Sequence, residues 1–203
     1  MLEKVDILMT GVGGQGVIMA SDILTTAALA TGYDVKKTDS LGMAQRGGSV
    51  TSHVRIGEKV FSPMIPPGGA DFLVSYERLE AVRSLGLLKP DGIAIVDSVA
   101  VTPLSVTIEG YHYPSVDEVK ESFSSITQRA YVLPVMEMAT KLGNPRASSV
   151  LCLGFLSVFL EIPEQSWLDE IRRHLPSRLH EVNLAAFNAG VDAARERQKE
   201  EGK

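Results

Sequence analysis

The sequence predicts an α/β fold: a Rossmann-like, mainly parallel sheet with helices on both faces, a β-hairpin insertion and a helical C-terminal segment. Three observations lead there. Short apolar runs rich in β-branched residues, at 5–10, 71–75 and 92–97, alternate with stretches of helical apolar spacing. The first run ends in a glycine cluster, Gly11-Val12-Gly13-Gly14-Gln15-Gly16, which opens a helix as in a βαβ unit. From Pro145 onward only helical spacing remains.

Taken in order, residues 5–10 read as a buried strand. Val17, Ile18, Ala20, Ile23, Leu24, Ala27 and Ala28 then recur at helical intervals until Gly32. A second strand is expected over 33–38, followed by a loop over 39–48. Residues 49–56 alternate apolar and polar side chains, and Gly57-Glu58 turns them towards Lys59-Val60-Phe61, so a β-hairpin is expected over 49–61. Pro63, Pro66, Pro67, Gly68 and Gly69 mark an irregular stretch. Strands over 71–75, 92–97, 106–108 and 130–133 are interleaved with helices around Leu79, Val82 and Leu85 and around Val116, Val119 and Phe123. Beyond Pro145 a buried helix is expected over 148–160. A short amphipathic helix carrying Trp167, Leu168 and Ile171 follows, then a last helix after Pro176. The whole reads as one domain, 1–203, with the α/β core in 1–144 and the helical part in 145–203.

Composition narrows the function. A net charge of −5 over 203 residues, without a basic patch, argues against nucleic-acid binding, which needs surplus Lys and Arg to neutralise phosphates. The start of the chain has no basic segment followed by an apolar one, and no apolar stretch approaches the ~20 residues of a membrane span. A soluble, cytoplasmic protein is expected. Cys152 is the one cysteine. It can neither close an internal disulfide nor supply the thiolates of an iron–sulfur cluster, and its apolar neighbours mark it as a core residue.

Two segments carry candidate chemistry. Gly11, Gly13, Gly14, Gln15 and Gly16 stand where glycines let backbone N–H groups approach a phosphate in front of a helix N-terminus. The same glycines would equally serve close packing of strand against helix. For a dinucleotide the ribose carboxylate would be Asp39, at the end of the second strand. The other segment is Ser40–Ser49. Here Gln45 and Arg46 stand between Gly42 and Gly47-Gly48, at the sheet edge where ligands bind α/β folds. A planar guanidinium suits a carboxylate or phosphate, and an ordinary ion pair with a neighbouring acid is the plainer alternative. His53 reads as a surface or hairpin histidine. Asp97 reads as the cap of the turn that follows it. No histidine or cysteine spacing suggests a metal site.

Gly-Val-Gly-Gly-Gln-Gly-Val at 11–17, Gly-Met-Ala-Gln-Arg-Gly-Gly-Ser-Val at 42–50 and Ser-His-Val-Arg at 52–55 resemble the gamma domain of 2-oxoacid:ferredoxin oxidoreductases, on the indolepyruvate branch. Gly143-Asn144-Pro145-Arg146-Ala147 and residues 181–190 extend the likeness over nearly the whole chain. Leu41 departs from the branch, whose members commonly carry a histidine there, and this leaves the oxoacid open. The resemblance implies a subunit of an enzyme that decarboxylates a 2-oxoacid oxidatively, passing the acyl group to coenzyme A and electrons to ferredoxin. It also implies that thiamine diphosphate and iron–sulfur clusters belong to a larger alpha subunit. The chain has no Gly-Asp-Gly thiamine motif and is expected to bind no cofactor alone. Two other readings fit the residues: an independent NAD- or flavin-binding Rossmann oxidoreductase, and a non-catalytic scaffold subunit.

Overall fold

The computed structural model describes residues 4–42, 47–101 and 112–201. Six strands form one sheet in the order β2-β3-β1-β4-β5-β6. They are β1 (Val5–Val12), β2 (Asp34–Leu41), β3 (Ser49–Gly57), β4 (Ala70–Ser75), β5 (Leu88–Asp97) and β6 (Ala130–Leu133). The pairs β1·β4, β4·β5 and β5·β6 are parallel, whereas β3 runs antiparallel to both β1 and β2. Strands β1, β2 and β4 therefore end on one edge of the sheet.

Seven helices accompany the sheet among the described residues: α1 (Val17–Ala30), α2 (Arg78–Arg83), α3 (Val116–Ser124), α4 (Val135–Lys141), α5 (Ser148–Ser157), α6 (Glu164–His174) and α7 (His180–Glu201). Alternation along the strands divides the core. Ile7, Met9, Val74 and Ile95 face α1 and the C-terminal helices, while Leu8, Leu73, Ala94 and Val96 face α2 and α3. Helix α5 is buried over residues 148–156, as its all-round apolar sequence requires. Cys152 lies within it, wholly buried, its thiol pushed well above the usual range by burial. The start of α3 is fixed by a reciprocal cap between Ser115 and Glu118, and α1 ends at Thr31 before Gly32 (φ 89°).

Four details differ from the sequence expectation. A hairpin is present, but β2 and β3 form it, and Lys59-Val60-Phe61 is not a strand. That segment satisfies its backbone through side chains instead. The Val60 N–H donates to Asp34 Oδ2 (2.9 Å), and Arg55 Nη1 donates to the carbonyls of Ser62 and Met64 (3.1 and 2.8 Å). Second, β2 runs on to Leu41, so Asp39 is strand and not loop. Third, β5 begins at Leu88. Ala70 pairs with Leu88 and Phe72 with Ile93, so residues 89–92 bulge out of the ladder. The bulge accommodates Pro90, and it holds Asp91 at φ 61°. Fourth, α4 has only seven residues, too few to show helical periodicity. The strand expected over 106–108 lies outside the described residues.

Candidate functional site

The two glycine-rich segments meet at the carboxyl edge of the sheet. The chain leaves β1 at Val12, turns through Gly14 (φ 104°), and enters α1 from Gly16, whose left-handed conformation (φ 85°) makes it the N-cap. No side chain caps α1, and its first turn carries no acid, so its N-terminal dipole is uncompensated there. Gly47 (φ 77°) and Gly48 enter β3 beside this turn. The Gly13 N–H donates to the Gly48 carbonyl (2.8 Å), clasping the two segments together, and the Gly42 N–H donates to that of Ser49 (2.8 Å) within the second. A shallow cleft of about 360 Å³ lies over the clasp, lined by Gly13, Gly14, Gly16, Met19, Leu41 and Val50 among others. Leu41, at its rim, is 67% exposed.

The candidate residues do different jobs here. A Cβ on Gly11 would sit 2.9 Å from Gln15 Oε1 and 3.2 Å from Tyr76 Cβ; one on Gly16 would sit 2.8 Å from Ser149 Oγ. Those two glycines allow close packing. A Cβ on Gly14 would meet nothing within 4 Å, so that position is glycine for its backbone angle. The Gln15 amide is committed internally: Oε1 accepts from the Val12 N–H (2.7 Å), and Nε2 donates to the Tyr76 carbonyl (2.6 Å). It ties the end of β1 to the chain leaving β4. The Gln15 N–H donates to the Val12 carbonyl (3.1 Å). With the Val12, Gly13 and Gln15 amides engaged, the donors left to an anion among the described residues are those of Gly14, Gly16 and the first turn of α1. Gln45 and Arg46 lie outside the described residues.

The carboxylate required by the dinucleotide reading is not where that reading needs it. Asp39 accepts the Ser52 hydroxyl and pairs with Lys37 (2.9 Å). Moreover, β3 lies between β2 and β1, so β2 stands two strand spacings, about 9–10 Å, from the glycine turn.

Sequence reading missed the burial of a set of acids around the carboxyl ends of β4 and β5. Ser49 Oγ donates to Glu80 Oε2 (2.5 Å), and Arg83 Nη1 to Glu80 Oε1 (2.8 Å). Glu77 caps α2 by accepting the Glu80 N–H (2.9 Å), and burial holds its carboxyl above the usual range. Asp97 is pushed up to about 7, foremost by burial and additionally by the Glu77 charge. The N–H groups of Val99 (3.1 Å) and Met136 (3.0 Å) pull in the opposite direction. Asp97 thus caps the turn after β5, as its position implied, and also the start of α4. The signal for Glu77 was its place just past the end of β4, the edge where open α/β sheets gather functional groups. His53 is buried, not superficial: its Nδ1 accepts the Ile65 N–H (3.3 Å), and burial, with Arg55 nearby, lowers its pKa.

Residues 6–193 match the family described as "Pyruvate ferredoxin/flavodoxin oxidoreductase". The chain belongs to this family. Among its relatives is the "Indolepyruvate oxidoreductase subunit IorB" of Thermococcus kodakarensis, 35% identical over 201 residues that cover 96% of this chain and 98% of the relative. The fold matches the gamma subunit of a keto/oxoacid ferredoxin oxidoreductase from Geobacter sulfurreducens (TM-score 0.70, 21% identity), covering 95% of this chain and 99% of that one. It also matches a 2-oxoglutarate:ferredoxin oxidoreductase from Magnetococcus marinus, solved with 2-oxoglutarate, coenzyme A and succinyl-CoA bound (TM-score 0.74, 18% identity). There it covers 97% of this chain but 32% of the other, so the same fold occurs as a free-standing chain and as part of a longer one. Membership of the pyruvate ferredoxin/flavodoxin oxidoreductase family disfavours the independent dehydrogenase.

Proposed function

We propose that the chain is the gamma-type subunit of a cytoplasmic, indolepyruvate-type 2-oxoacid:ferredoxin oxidoreductase. The enzyme releases carbon dioxide from the 2-oxoacid, transfers the acyl group to the coenzyme A thiol, and delivers two electrons to ferredoxin. One observation carries this reading: 35% identity over nearly the full length of an indolepyruvate oxidoreductase subunit, joined to a cleft lined from the two segments that bear the resemblance. Thiamine diphosphate and iron–sulfur clusters, which this reading assigns to the larger alpha subunit, would supply the decarboxylation and electron-transfer chemistry there. This reading assigns neither to the present chain. Its single cysteine is wholly buried in α5 and unavailable to a cluster.

The role left to this chain is to wall the coenzyme A and substrate region. The Gly14 and Gly16 amides and the open N-terminus of α1 favour an anionic group over the cleft. Arg46, followed in sequence by Gly47-Gly48, carries a guanidinium whose chemistry suits such a group. The internal commitment of Gln15 supports a scaffold role for that part of the motif. The test is co-expression with the large subunit encoded in the same genome. The expected result is viologen-dye reduction by indolepyruvate that requires coenzyme A and both chains. Full activity of the large subunit without this chain, or failure of the two to associate, would overturn the proposal.

A further inference from the structure

Both glycine-rich segments are fastened to one short piece of chain, residues 76–80, where β4 hands over to α2. The first is fastened by Gln15, whose Nε2 donates to the Tyr76 carbonyl (2.6 Å). Tyr76 is itself held at that point, its N–H donating to the Thr10 carbonyl (2.9 Å). The second is fastened by Ser49, whose hydroxyl donates to Glu80 Oε2 (2.5 Å). Ser49 is the joint between them. It pairs with Val12 at the last position of the β1·β3 ladder, and its carbonyl accepts the Gly42 N–H. The Gly48 carbonyl just before it accepts the Gly13 N–H. Glu80 is in turn held firmly. Its N–H donates to Glu77 Oε2 (2.9 Å), its Oε1 accepts from Arg83 Nη1 (2.8 Å), and its side chain is buried.

We infer that Glu80 is a positioning residue of the carboxyl-edge cleft: through the Ser49 hydroxyl it sets where the second glycine segment stands against the Gly13–Gly16 turn. This rests on the functional reading above. The fold itself does not need the bond. Strand β3 is secured by eight residue pairs to β1 and eight to β2 without it. The bond acts where the ladder to β1 ends and the glycines begin, and glycine backbone is the freest to drift. A carboxylate suits the task, because a hydrogen bond to an ionised group is shorter and about twice as strong as a neutral one. Keeping a carboxylate buried is costly, and an apolar residue would fill the same place on α2 at less cost. Without the Ser49–Glu80 bond the Gly48 carbonyl is free to leave the Gly13 N–H. The turn that presents the Gly14 and Gly16 amides then loses its fastening to β3.

The experiment has two readouts. On the chain alone, amide hydrogen exchange followed by NMR is expected to be about tenfold faster at Gly13 and Gly42 in Ser49→Ala than in wild type. The amides of Ile7 and Val54, inside the ladder, are expected to stay unchanged. Ser49→Thr keeps the hydroxyl and is expected to restore wild-type exchange, and Glu80→Gln to fall between wild type and Ser49→Ala. In the enzyme co-expressed with its large subunit, Ser49→Ala is expected to raise the KM for coenzyme A roughly tenfold at nearly constant kcat. Thr127→Val removes another buried hydroxyl bond, to the Gly92 carbonyl (2.7 Å), at the amino edge of the sheet, and is expected to leave that KM unaltered. Wild-type exchange at Gly13 and Gly42 in Ser49→Ala would overturn the inference. So would faster exchange there with an unchanged KM, or faster exchange spread equally over Ile7 and Val54, since either makes the bond merely structural. The expected exchange pattern, in a wild-type complex that shows no turnover with coenzyme A, would overturn the functional reading while supporting the positioning of the edge by Glu80.

Discussion

Gly154 in α5 and Gly190 in α7 are reciprocal notches. A Cβ on Gly154 would stand 1.9 Å from the Phe187 carbonyl oxygen of α7, and one on Gly190 would stand 2.0 Å from the Leu151 carbonyl oxygen of α5. Alanine favours a helix over glycine by about 1 kcal/mol. Here the atom struck is backbone, which cannot rotate away, so the clash outweighs the propensity. Gly154→Ala and Gly190→Ala are each expected to destabilise the chain by roughly 1–3 kcal/mol or more, read as a fall in urea midpoint. An unchanged or raised midpoint would mean the helices can part freely.

Asp97 predicts a pH dependence. Its folded-state pKa, about 7, lies above the ordinary value of 3.8. A group raised in this way contributes stability fully below about pH 4, and the contribution is lost as pH rises towards and through 7. Asp97→Asn removes the titration. Stability of the variant is expected to be flatter than wild type between pH 4 and 8. Identical slopes in denaturation at several pH values would contradict the assignment.

Gln15 is expected to act on stability more than on ligand affinity. Gln15→Leu strands the Val12 N–H and the Tyr76 carbonyl, and each orphaned group costs about 1–3 kcal/mol. Gln15→Glu keeps the acceptor for Val12 but cannot donate to Tyr76, so it should rescue only part of the loss. A variant of wild-type stability that fails to bind coenzyme A would reassign Gln15 to the ligand.

Arg46→Ala is expected to leave this chain's unfolding temperature intact and to raise the KM for coenzyme A in the assembled enzyme. Losing a hydrogen bond to a charged group removes about 1.5–3 kcal/mol, which is roughly ten- to a hundredfold in binding. Dissociation on a sizing column, with KM unchanged in the assembled fraction, would place the contact with the partner subunit. Neither change would make Arg46 an ordinary surface residue.

Local signals account for what the sequence revealed. The strand–glycine–helix opening was legible because apolar period and glycine chemistry agree at 5–30. Helix α5 was legible because it is apolar on every side. Strand pairing was less so: residues 49–56 alternate in a way that fits any antiparallel partner, and only the fold shows that β1 and β2 flank them. The commitment of Gln15 was invisible because its acceptor, the Tyr76 carbonyl, is distant in sequence and carries no residue-type signature. The buried acids Glu77 and Asp97 were hidden for the same reason, since an acid at a strand end reads as exposed until the layers on either side are known.

The insertion of β3 beside β1 also bears on how the molecule assembles. The antiparallel pair β2·β3 closes through a short connection, whereas the parallel pair β1·β4 must wait for a longer crossover. The block from Val5 to Gly57 contains β1, α1, β2 and β3 and both glycine segments, and its ladders close on themselves. Its β2·β3 contacts are near in sequence, and contacts of that kind form fast, while β1 joins them across α1. During synthesis the edge that carries the cleft is therefore complete in outline within the first third of the chain, before the α5–α7 layer that buries its floor has left the ribosome.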